Sequence, residues 1–128
     1  MSGLEKIEAY LVDLGVAYEE VAATTWLVDD PAMGIPAIMI SLVDPIVVVR
    51  ASVMKLPPSG HEALFRTLLT LNADDIVHGA YALEGEDIIL IDTLECESLD
   101  KSELQASLDA ISFALARHLP LLSRLVKG

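Results

Sequence analysis

The side chains able to do chemistry are few in this chain, and their spacing points away from a catalytic or metal centre. His61, His78 and His118 stand far apart, at none of the short intervals by which a helix or loop presents two ligands to zinc. Each reads as a surface or helix-end residue. Cys96 is the only cysteine, and in Leu94-Glu95-Cys96-Glu97 the carboxylates on both sides make poor surroundings for a thiolate nucleophile. Asp87, Asp92, Glu95 and Glu97 lie on or beside one predicted strand, where alternation turns Asp92 away from Glu95 and Glu97. Two carboxylates facing across a cleft, as glycoside hydrolysis requires, are therefore not supplied. Gly34, Gly60, Gly79 and Gly85 are isolated, in neither a P-loop nor a dinucleotide-binding pattern. No catalytic residue, cofactor or metal ligand is expected. An enzyme would need a pocket gathered from distant positions, with Asp92, Glu95 and His78 the first to inspect.

Composition narrows the partners. The chain has 128 residues, enough for one domain, 1–128, with a single core. Its 20 acidic and 8 basic residues give a formal charge of −12, a field that repels phosphate backbones and anionic lipid. Nucleic acid is thus not an expected partner. No apolar run approaches the roughly 18 residues of a membrane span, and the N-terminal residues lack the features of a signal peptide. With one cysteine there is no internal disulfide, and the expected compartment is the cytoplasm. Against this acidity stands a mean hydropathy of +0.51, which implies apolar surface that meets something besides its own core.

The elements follow from local signals. Ser2, Ser59 and Asp100 each precede a Glu three residues on, in Ser2–Glu5, Ser59–Glu62 and Asp100–Glu103, and mark three helix starts. The first helix carries Leu4, Ile7, Leu11 and Leu14 and stops at Gly15; the second runs from about His61 to Leu71, with Asn72 as a stop. The third aligns Leu104, Leu108, Ile111 and Leu115, and Pro120 is expected to kink it or begin a new turn. Runs rich in β-branched residues at 24–29, 36–42 and 46–55 read as strands, and 80–83 with 88–95 form a hairpin about Glu84-Gly85-Glu86-Asp87. The fold class is α+β, a single domain of order α-β-β-β-α-β-β-α.

The strands carry the functional expectation. Val47, Val49, Ala51 and Val53 share one face of the third strand; Ile46, Val48, Arg50, Ser52 and Met54 share the other, which is mixed but far from water-loving. An antiparallel sheet wet on one side should oppose apolar residues with polar ones, and this one does not. The second face needs a cover from the chain's own helices, a second subunit or a bound polypeptide. Trp26, Met39, Val48, Arg50 and Met54 are the expected partner contacts, with Arg50 exposed or ion-paired. Burying about 800 Å² there would be worth ~20 kcal/mol before the entropy and desolvation costs that consume most of it.

Leu68-Leu69-Thr70-Leu71-Asn72, then Gly79 through Ile91, Leu94 and Leu99, resemble the YbjN-like family, which is similar in fold to type III secretion chaperones of the Tir-chaperone type. The likeness is close over the second half and rests on element order over the first. It implies a twisted antiparallel sheet flanked by helices, commonly in a homodimer. Secretion chaperones hold extended segments of other proteins; YbjN-like proteins are associated with regulation. The expected function is a non-catalytic polypeptide-binding module acting as a homodimer, or else a regulatory protein whose dimerisation is its main activity.

Overall fold

A computed structural model describes residues 2–127, with the side chain of Lys127 outside the description. Its order is α1 (Gly3–Leu14), β1 (Tyr18–Ala22), β2 (Thr25–Asp30), a short 3-10 turn at Pro31–Met33, β3 (Ile35–Val43), β4 (Ile46–Lys55), α2 (His61–Asp74), β5 (Ala80–Glu84), β6 (Asp87–Glu95) and α3 (Lys101–Lys127). The strands form one antiparallel sheet in the order β1-β2-β3-β4-β6-β5.

Two helix starts match their local chemistry. The Ser2 hydroxyl accepts from the Glu5 amide, and Asp100 and Glu103 exchange hydrogen bonds as a complete capping box, at 2.8 and 3.0 Å. The third start differs. Gly60, at φ 77°, occupies the cap of α2 and no side chain bonds there, so Ser59 does not cap it. Nor does α2 stop before Asn72, which lies in its last turn. Pro120 begins no separate turn, since it lies inside α3, which runs on to Lys127. β1 is an additional strand. As an edge with four of its five side chains exposed, it lacks the alternation by which a strand is recognised.

One face of the sheet carries the core. Trp26 and Val28 of β2, Ile38 and Ile40 of β3, and Val47 and Val49 of β4 are all 0 % exposed, and ladder pairing sets them side by side. α1 and α3 lie over them: Ile7 and Leu11 come from α1, Leu104, Leu108 and Ile111 from α3. Ser107 of α3 donates to Asp92, the one polar group among these inward positions of β6. α2 packs beside the β5 edge. Among the described residues no helix covers the opposite face, where Leu27, Met39, Val48, Arg50 and Ile91 are half-buried and Ala37 and Ser52 exposed.

Candidate functional site

The uncovered face has a defined centre. β3 and β4 pair only from Met39–Arg50 to Val43–Ile46. Beyond that, Ile35–Ile38 pair with β2 alone and Ala51–Lys55 with β6 alone. The next pairs the register would give, Ile38 with Ala51 and then Ala37 with Ser52, are not formed, and the sheet forks. Leu115 and Leu119 of α3 floor the opening from the core side, and Leu27, Ala37, Met39 and Ser52 surround it. The resulting depression holds about 480 Å³.

Arg50 stands at its rim. As expected it is paired within the chain, its guanidinium meeting Glu84 of β5 through two hydrogen bonds of 2.7 and 2.9 Å. The two side chains reach across β6, which lies between their strands. Met39 and Val48 share this face. Trp26 and Met54 do not: Trp26 is wholly buried, and a register shift between Ser52 and Met54 pairs Met54 with Ile88 and turns it to the core. The expected contact set of five thus divides into three on the open face and two inside.

A second apolar hollow, about 230 Å³, lies between α2 and β5, lined by Phe65, Leu68, Leu69, Tyr81, Leu83 and Ile88. Leu69 and Leu83 on its rim are 66 % and 50 % exposed. Behind it runs a polar chain that spacing along the sequence did not disclose. The Tyr81 hydroxyl lies 2.7 Å from Nδ1 of His118, and Nε2 of His118 lies 2.6 Å from Asp75. A neutral imidazole satisfies both contacts, donating to the carboxylate and accepting from the phenol. His118 is therefore a buried residue of the helix interior, not a surface or helix-end one. Burial, with the Asp75 charge nearby, pushes the Tyr81 hydroxyl up to about 12. The hydrogen bond from His118, helped by the charge of Arg117, holds Asp75 below the usual carboxylate range. Asn72 completes this corner: its side-chain amide accepts from the Tyr81 amide at 2.7 Å and donates to the Tyr81 carbonyl at 3.2 Å. The residues considered for catalysis are not brought together. Asp92 faces the core, Glu95 lies exposed on the opposite side of β6, and His78 is in the exposed loop before β5.

This six-stranded open sheet with its three helices shares its fold with type III secretion chaperones. The family model CesT_Tir_1 matches residues 1–128, and the chain belongs to that family. Among solved structures, a chain of the ExoU–SpcU heterodimeric complex from the type III secretion system of Pseudomonas aeruginosa superposes with TM-score 0.73 at 14% identity, covering 90% of this chain and 96% of that one. YbjN from E. coli gives 0.67 at 18% identity, with 91% of each chain covered. The structure of the Yersinia pestis type III secretion chaperone SycH with a stable fragment of YscM2 gives 0.65 at 13% identity, covering 91% and 98%. No curated protein matches. Among the described residues, no helix is long and apolar enough to cross a membrane.

Proposed function

We propose that this protein is a non-catalytic, chaperone-like module that binds another polypeptide on its open sheet face and works as a homodimer in the cytoplasm. The observation that carries this is the uncovered face. In a chain of charge −12 it centres on apolar and small side chains, and its one basic residue is already neutralised by Glu84. Met39, Val48 and Arg50 are the contact residues, the thioether supplying an adaptable surface. The structures it resembles include a secretion chaperone in complex with a fragment of another protein, which supports the same use of the fold.

The homodimer is assigned to the hollow between α2 and β5. It bears both an apolar recess and protruding leucines, Leu69 and Leu83, so a two-fold mate can place its knob in this recess and receive one in return. Likeness to YbjN favours a second reading, in which dimerisation is itself the regulatory act.

Binding of a fluorescently labelled, permanently unfolded polypeptide, followed by anisotropy, tests the first reading. Saturable binding that weakens in Met39→Glu is expected; no binding to the dimer would leave only the regulatory one. Sedimentation should show dissociation on dilution, and Leu69→Glu should shift it toward monomer.

A further inference from the structure

We infer that the fork between β3 and β4, rather than an outer edge of the sheet, receives the partner's backbone, and that the segment it takes is extended, uncharged and apolar on alternate residues. This rests on the polypeptide-binding reading above and names its seat and its chemistry.

Unpaired backbone groups are the first ground. The Leu42 amide bonds to the Thr24 carbonyl, on the β2 side. Alternation along β3 therefore turns the amide and carbonyl of residues 41 and 39 toward β4, and the carbonyl of residue 37 with them, while the Ala37 amide falls in the register shift between Ile38 and Ile35. Ser41 and Met39 face Val48 and Arg50 there, so the Ala37 carbonyl and the Ser52 amide and carbonyl point into the fork, where no ladder pair forms. A third group lies next to them. Pro120 has no amide, so the Ala116 carbonyl lacks its helical donor. Ala116 lines a smaller depression of about 260 Å³ that shares Pro36, Leu115 and Leu119 with the fork. Free donors and acceptors beside an apolar floor are what an extended chain can complete with its own backbone while its side chains seat on Leu115 and Leu119.

The outer edges offer less. At β5 the Asn72 amide already takes both outward groups of Tyr81. At the other edge β1 is five residues long, carries a register shift, and presents Glu19 and Glu20. Such short, charged, bulged edges discourage pairing. Among the described residues the fork carries no charge beyond the internally paired Arg50, which is why an uncharged occupant fits.

The test uses the full-length protein, amide-resolved NMR and a short capped peptide of alternating leucine and threonine. Binding should shift the Ala37 and Ser52 amides and slow the exchange of Ser52. Methylating the peptide's inward-facing nitrogens should weaken it roughly fivefold or more per bond removed, and Leu119→Glu should abolish it while leaving the circular dichroism spectrum unchanged. Shifts confined to β1, β5 or the α2 hollow, with Ala37 and Ser52 unaffected, would overturn the fork and spare polypeptide binding. If neither this peptide nor the unfolded polypeptide bound anywhere, both would fall.

Discussion

The β5 edge and the β3–β4 fork pose the same physical problem and meet it differently. Each is a place where a strand lacks a ladder neighbour, and backbone groups left without partners are costly once shielded from water. At β5 the chain supplies the partner itself, through the Asn72 side chain, and anchors the corner with Asp75, His118 and Tyr81. At the fork it supplies only an apolar floor. One site is closed by polar side chains and belongs to stability. The other is open and is the seat proposed for a partner.

That division is breakable by mutation. His118→Ala should be the most damaging change, because it opens a cavity and strands the buried Tyr81 hydroxyl; a loss of about 3 kcal/mol in urea denaturation is expected. Asn72→Ala leaves the Tyr81 amide and carbonyl unpaired and should cost about 2 kcal/mol by the same measurement. Tyr81→Phe removes one hydrogen bond, about 1 kcal/mol, and also reports on pH. The Tyr81 hydroxyl is raised in the folded state to about 12, so its contribution is fully present below its ordinary value of 10.0 and is lost as pH rises through about 12. The wild type should lose stability over that window, and Tyr81→Phe should flatten the loss. Asp75 has the opposite sign: lowered in the folded state, it stabilises above its ordinary 3.8 and stops doing so as pH falls through the lower folded value. Asp75→Asn should weaken the acid limb of the stability profile. Smallest of all, Leu119→Gln at the fork should stay within about 0.5 kcal/mol of wild type while reducing polypeptide binding. A large stability loss there would mean that the fork is structural after all.

The same contrast governs what could be read from sequence. Ser2 and Asp100 are legible helix starts because a cap is decided within a single turn. The apolar face Val47-Val49-Ala51 is legible because alternation holds until the register shift, and the Met54 assignment fails where that shift begins. Trp26, expected among the partner contacts, lies in the core instead, since both faces of β2 carry apolar residues and only pairing with Ile40 settles its side. Likewise, Asp75 and Tyr81 lie 43 and 37 residues from His118, with no periodicity to connect them. The surplus apolar face was visible; the fork at its centre was not, because it begins where β3 and β4 each shift register against their outer neighbours.

The internal pairing of Arg50 with Glu84 has one more consequence. Most attraction between an acidic protein and its ligands varies with ionic strength, because salt screens exposed charges within about 10 Å at 0.1 M. A ligand seated at the fork meets a site whose only cation is already neutralised, so its affinity should hardly change between dilute buffer and concentrated salt. Ligands held by Glu5, Glu8 and Asp13 on α1, or by Glu19 and Glu20 on β1, would be released. Insensitivity to salt is thus the signature of the open face.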